Sequence, residues 1–302
     1  MTRFSSAILF IFTVFICATI LLAEHRKLIP KCFNSCLTSG SVKPTNCFCD
    51  SKCSLIYNDC CLDAPYRTFR VNTRRNHNIN CVFVHGENKH FWMVDSCKST
   101  WVGHDHIREK CNETSLVSGE SSDIIGSIPV TNPKEGVTFK NYYCAMCNDE
   151  ATEDLVEWQV KALCADDLVS QEDILQNLTF VEDKQQWGVW KYDTQQEWTF
   201  HECYLLFQRP SNVTNGIRHC TPGMISSCPR FWQHIATRRK CKSYVDPVRW
   251  SDGPVFRNID CALCHNRTSD QFQCVKDVTS STSSIMLSRA MKVDISCSGQ
   301  WL

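Results

Sequence analysis

The chain of 302 residues carries 32 basic and 32 acidic residues, 43% hydrophobic residues and 22 cysteines. Balanced charge gives the whole chain no preference for nucleic acid or an anionic membrane, so no nucleic-acid partner is expected. Cysteine at this density excludes an ordinary globule of free thiols and points to a disulfide framework made in an oxidising compartment.

In chain order, Arg3 precedes an apolar run from Ala7 to Leu22, which reaches Ala23 just before Glu24-His25-Arg26-Lys27. This is the layout of a secretory signal peptide, so residues 1–23 are expected to be removed. Leu21 is not the small residue that cleavage prefers two positions before Ala23, which leaves an uncleaved signal anchor as the alternative. Both readings place the rest of the chain outside the cytoplasm. No second apolar run of about 18 residues follows, so no transmembrane domain is expected in the mature chain.

Loss of Cys17 with the leader takes the cysteine count from 22 to 21. An odd count means a free thiol, an intermolecular bridge, or a chain that is incomplete as given. Four sequons, at Asn112, Asn177, Asn212 and Asn266, fit a secreted glycoprotein.

A first cysteine-rich region, 24–65, holds Cys32, Cys36, Cys47, Cys49, Cys53, Cys60 and Cys61, too dense for an ordinary core. A basic connector follows over 66–79 and is read as a solvated linker. The remainder is an internal repeat, divided here at 80–180 and 181–302. Met93-Val-Asp-Ser-Cys-Lys-Ser-Thr-Trp101 matches Met224-Ile-Ser-Ser-Cys-Pro-Arg-Phe-Trp232, and Ile107-Arg-Glu-Lys-Cys111 matches Thr237-Arg-Arg-Lys-Cys241. Further on, Pro129-Val130 aligns with Pro247-Val248, and Phe139-Lys-Asn-Tyr-Tyr-Cys-Ala-Met-Cys147 with Phe256-Arg-Asn-Ile-Asp-Cys-Ala-Leu-Cys264.

The first copy contains Cys81, Cys97, Cys111, Cys144, Cys147 and Cys164, and the second Cys203, Cys220, Cys228, Cys241, Cys261, Cys264, Cys274 and Cys297. All 21 are expected in the disulfide framework, one of them odd. Asn80–His85 and Trp198–Gln208 read as strands, one opening each copy. Cys228, Trp232 and Ile235 fall at i, i+4 and i+7, with Pro229 suited to the first helical turn, which predicts a short amphipathic helix there. Asp154–Leu163 reads as a second helix, and Thr114–Ser127 as a polar loop. The expected class is a small disulfide-rich fold with two related α+β modules.

Two Cys-x-x-Cys pairs raise the questions of zinc and of a redox dithiol. Cys97, Cys111, Cys144 and Cys147, or Cys228, Cys241, Cys261 and Cys264, have the number of thiolates that a structural zinc takes. The compartment favours disulfides instead, and an aromatic strand-like run rather than a thioredoxin-like setting precedes each pair. Neighbouring cysteines are therefore expected to reach different partners. His104-Asp105-His106 has no counterpart in the second copy and reads as solvated helix residues. Trp92, Trp101, Trp187, Trp190, Trp198, Trp232 and Trp250 read as wedges under the disulfides rather than as a binding surface. No catalytic motif is present, and neither an enzyme activity, a metal nor a cofactor is expected.

The first region resembles a somatomedin B domain in its Cys47-x-Cys49-x3-Cys53-x6-Cys60-Cys61 run with Asp50, Tyr57, Asp59 and Asp63. The resemblance implies a somatomedin B-like knot pairing Cys32 with Cys49, Cys47 with Cys61 and Cys53 with Cys60, and sends Cys36 to an eighth cysteine. Here the chain departs from the pattern, because the next cysteine is Cys81. Either Cys81 closes the knot across the connector or Cys36 is the odd cysteine. The family's contact patch implies Asp50, Tyr57 and Asp59 as ligand contacts, and its members imply protein ligands such as protease inhibitors or matrix-associated receptors. The repeat, over about 81–274, is similar to the cysteine-rich ectodomain ahead of seven-helix bundles in invertebrate adhesion or secretin-like receptors, although no seven apolar spans follow Leu302.

Together these readings lead to a secreted, non-enzymatic protein that binds an extracellular protein, matrix or polysaccharide ligand. The alternative is a truncated or decoy ectodomain of a seven-helix receptor.

Overall fold

A sequence this rich in cysteine and poor in long apolar runs has to build its structure from short elements, and the computed structural model shows them. It describes residues 46–67, 78–113, 122–164, 177–192, 197–251, 253–267 and 272–275. The leader, Cys32, Cys36, most of the basic connector and Cys297 lie outside the described residues. The described residues divide into two units, one drawn from 46–54, 58–67 and 223–275, the other from 55–57 and 78–222.

In the second unit β1 (Ile79–Val84) and β2 (Lys89–Val94) pair as an antiparallel hairpin. Two helices follow, α1 (Asp105–Asn112) and the one-turn α2 (Ile124–Ser127). The hairpin β3 (Val130–Asn132) and β4 (Val137–Phe139) turns at Gly136, whose φ of 65° is the left-handed conformation glycine adopts without a Cβ clash. Helix α3 (Tyr142–Met146) and β5 (Val156–Glu157) complete this part, and the sheet runs β1-β2-β4-β3-β5. A four-stranded antiparallel sheet, ordered β6-β9-β8-β7, is built from β6 (Gln159–Cys164), β7 (Thr179–Val181), β8 (Gln186–Tyr192) and β9 (Trp198–Gln208).

The first unit contains the Cys47–Cys61 and Cys53–Cys60 bonds, and the wide helical turn Cys53–Tyr57 begins in it. Its other elements are α4 (Ile235–Ser243), β10 (Val248–Trp250), β11 (Val255–Phe256), α5 (Ile259–Leu263) and β12 (Phe272–Cys274), with the strands ordered β11-β10-β12. Backbone hydrogen bonding from Val245 to the Cys60 carbonyl, 2.8 Å, and a bond from the Arg257 guanidinium to the Asn58 carbonyl join the first cysteine-rich region to these elements. The chain is thus a small disulfide-rich mixed α/β protein, with eight disulfides among the described residues. At about 2–4 kcal/mol each, such bonds replace the apolar core that segments this short cannot form.

Four expectations change, the first being that the polar loop expected over Thr114–Ser127 ends in the one-turn α2 at Ile124–Ser127. Asp154–Leu163 is not a helix but β5 and β6. Trp158, Val160 and Ala162 recur with period two toward the interior, whereas Leu163, taken for the apolar face of a helix, is exposed. Cys228–Ile235 is not helical either. The helix begins at Ile235, where the His234 imidazole accepts from the Thr237 backbone N–H, and the bond from Cys241 to Cys261 anchors it. Trp232 packs on the core from the segment before the helix, so a helical spacing there reported contact rather than conformation. Lastly, Cys81 bonds Cys220 and does not close the knot. The strands expected at Asn80–His85 and Trp198–Gln208 are present as β1 and β9.

The Phe-[Lys/Arg]-Asn-x-x-Cys-Ala-x-Cys segments take the same form in both places. Phe139 and Phe256 are core residues of their clusters. Lys140 and Arg257 are buried cations that donate to the carbonyls of Glu113 (3.1 Å) and Tyr244 (3.0 Å). Asn141 and Asn258 are fully buried N-caps that accept from Cys144 N–H (2.9 Å) and Cys261 N–H (3.0 Å). Their amides donate in turn near the ends of α1 and α4, at Lys110 O (3.1 Å) and Cys241 O (3.0 Å) respectively. One side chain therefore starts one helix and terminates another. Replacing Asn258 by Ala removes the cap and leaves buried carbonyls unpaired, a loss of about 2–4 kcal/mol expected in denaturant unfolding, with Asn141→Ala similar.

His219 stacks on Phe91 at 4.5 Å, and burial, reinforced by Lys89 and Arg209 against Glu87, lowers its pKa; burial also lowers those of His85 and His90. Folded histidines with lowered pKa stay neutral while unfolded ones take up protons near about pH 6.5. Stability present at neutral pH is therefore lost as pH falls. Melting temperature is expected to drop between about pH 7 and pH 5, and His219→Gln to lessen that drop.

Candidate interaction surface

Among the residues that the somatomedin B resemblance nominates, Tyr57 is 2% exposed: its hydroxyl donates to the Gly136 carbonyl at 2.7 Å and the Arg218 guanidinium lies 4.3 Å from its ring centre. Asp59 is also buried, with its backbone bonded to Phe48 and Cys53. Asp50 is exposed, but its carboxylate accepts from the backbone N–H groups of Lys52 and Cys53 at 2.9 and 3.1 Å. Of the three, only Asp50 presents its side chain to solvent.

The cysteine corners hold their sulfurs in bonds. Cys97–Cys147 and Cys111–Cys144 lie side by side, as do Cys228–Cys264 and Cys241–Cys261. The Sγ atoms of Cys97, Cys111 and Cys147 fall within 4.8 Å of one another, as do those of Cys228, Cys241 and Cys264, because two disulfides pack together. A bonded sulfur offers no thiolate to a metal. Cys49 and Cys274 are also disulfide-bonded. His104 and His106 are exposed at the start of α1, and the four sequon asparagines are all exposed.

The β6-β9-β8-β7 sheet is where the sequence reading and the structure part most. Alternation sends Cys203 and Leu205 of β9 inward against Ala162, Trp187 and Val189, and Phe207 inward against Phe91, Met93 and Trp158. The even-numbered positions face out. Registered pairs place Tyr192 against Trp198, with ring centres 5.3 Å apart, and Trp190 against Phe200, 5.1 Å apart. Leu163 pairs with Tyr204 further along, and Lys184 lies 5.0 Å from the Phe200 ring centre. Trp198 is 64% exposed, Tyr192 57%, Tyr204 54% and Trp190 45%. Six residues of β9 separate Trp198 from Tyr204, so the aromatic face is roughly 20 Å long.

Trp190 and Trp198 are therefore surface residues, whereas Trp187 is buried and Trp92, Trp101, Trp232 and Trp250 pack on the cores as expected. The clue in the sequence was the alternation Trp190-Lys-Tyr192 and Trp198-Thr-Phe200. Without the register it does not say which face turns inward.

A family model described as a family of unknown function (DUF8401) matches residues 92–300. The chain belongs to that family. The DUF8401 segment takes in both cysteine corners and the whole aromatic sheet, and it begins after the knot region. No curated protein and no solved structure matches the chain. Among the described residues no helix is long and apolar enough to cross a membrane.

Gly188 sits under this face. A Cβ there would meet the His201 carbonyl oxygen at 2.4 Å and the Phe200 ring at 2.4 Å. Gly188→Ala is expected to lower the melting temperature by several degrees and to alter the near-ultraviolet circular dichroism of the aromatic pairs; an unchanged spectrum and melting point would refute the close approach.

Proposed function

We propose that this DUF8401 protein is an extracellular, glycosylated, non-enzymatic interaction protein that presents the aromatic face of β6–β9 to a protein ligand. The observation that carries the reading is that face. Exposed Trp190, Tyr192, Trp198 and Tyr204 gather on one side of a disulfide-linked sheet. Trp and Tyr are the residues that dominate binding energy when a partner covers them, since each buries a large rigid surface and keeps a polar tip. An exposed aromatic face of this extent on a soluble chain marks interaction.

The extracellular assignment is supported by the eight disulfides and the exposed sequons. The somatomedin B-like reading of the first region draws support from Cys47–Cys61 and Cys53–Cys60, two of the pairs that the resemblance implies, and it keeps Asp50 as a contact for a second ligand. The reading of two related modules is supported by the matching bonds and caps of the two cysteine corners. Matrix and polysaccharide ligands belong to the same proposal as further classes that stack on aromatic rings.

The test compares the full secreted chain with Trp190→Ala/Trp198→Ala in binding to extracellular and cell-surface protein. The double variant is expected to weaken binding at least tenfold while keeping the same number of disulfides, whereas equal binding by both proteins would contradict the assignment.

A further inference from the structure

Helix α4 of the first unit carries charge that its fold does not use. Among the described residues of this unit ten side chains are basic and five acidic. The acids are largely occupied: Asp59 is buried, Asp50 caps a turn, and Asp260 accepts from the Tyr244 hydroxyl at 2.8 Å. In α4, Ile235, Arg239 and Lys242 fall at i, i+4 and i+7 on one exposed face, with Lys240 exposed beside them. Arg230, just before the helix, is exposed too. Neither Arg230, Arg239 nor Lys242 makes an ion pair among the described residues.

Helix α1 shows that the scaffold does not need these charges. Arg108 donates to the Trp101 carbonyl at 2.7 Å, and Arg238 donates to the Trp232 carbonyl, so the structural arginine is present in both helices. Glu109 and Asn112 then stand where α4 has Arg239 and Lys242. The basic strip belongs to α4 alone.

We propose that this strip is a docking site for a sulfated polysaccharide. Its unneutralised cations complement a linear polyanion, and the guanidinium fork of Arg239 matches tetrahedral oxyanions as the lysine ammonium cannot. The choice of polymer rests on the extracellular reading above, because outside the cell sulfate esters rather than nucleic acids supply such charge. An anionic membrane fits less well: within α4 only Ile235 is a large exposed apolar residue, too little for an interfacial helix.

The probe is immobilised heparin, with the full secreted chain eluted by salt. Retention at physiological ionic strength is expected. Arg239→Glu/Lys242→Asn, which gives α4 the charges of α1, is expected to weaken binding at least tenfold and to lower the salt slope by roughly one per cation removed. Glu109→Arg/Asn112→Lys is expected to strengthen binding, and Arg239→Gln/Lys242→Gln replaces the first variant if that fails to secrete. Loss of heparin binding in Trp190→Ala/Trp198→Ala to the extent expected of the α4 variant would place the site on the aromatic face and overturn the proposal. Equal retention of all variants, equal retention on desulfated heparin, or preference for polyglutamate or phosphatidylserine vesicles would each overturn the proposal.

Discussion

Each five-residue helix, with one cysteine at its centre and a second just past its end, is tied on opposite sides, and most of what surrounds it follows from that crossing. Cys144 fastens α3 to α1, and Cys147 fastens the same turn to the segment after β2; Cys261 fastens α5 to α4, and Cys264 fastens that turn to Cys228. A helix this short would not persist alone, since nucleation fixes several residues for a single hydrogen bond. Here the cross-links and the buried Asn cap supply the stability that length does not, and the phenylalanine just before the cap roots the corner in its core. The invariant features of the two corners are thus explained by packing, without any need for a reactive thiol.

With the corners fixed by covalent bonds, the surfaces are free to differ. Arg238 keeps the role of Arg108, yet α4 gains positive charge where α1 has Glu109 and Asn112. The β6–β9 sheet goes further and turns aromatic rings outward, with Cys164 joined to Cys203 across paired strands. A scaffold held by bonds rather than by a large apolar core can expose apolar side chains without losing its stability, because few of its core contacts depend on them.

The corners were legible in the sequence because their motif is local: Phe, a cation, Asn and two cysteines lie within nine residues, and the opposed partners followed from the compartment. The strands β1 and β9 were legible for the same reason. What could not be read was set by tertiary contact. Trp158, Val160 and Ala162 alternate inward in β6, but Leu155, Val156 and Leu163 mimic a helical face over the same stretch. Trp232 sits at helical spacing from Cys228 while lying outside any helix. Cys81 finds Cys220 across 139 residues, a pairing that no local pattern encodes. Tyr57 and Asp59, surface contacts by resemblance, are interior residues in this chain.

The most direct test of the central claim, that both Cys-Ala-x-Cys pairs are structural crossings, is a non-reducing peptide map of the secreted chain after glycan removal. The account predicts cross-linked peptides joining Cys111 to Cys144, Cys97 to Cys147, Cys241 to Cys261 and Cys228 to Cys264. A bond within Cys144–Cys147 or Cys261–Cys264, or free thiols at these positions accompanied by zinc, would contradict it.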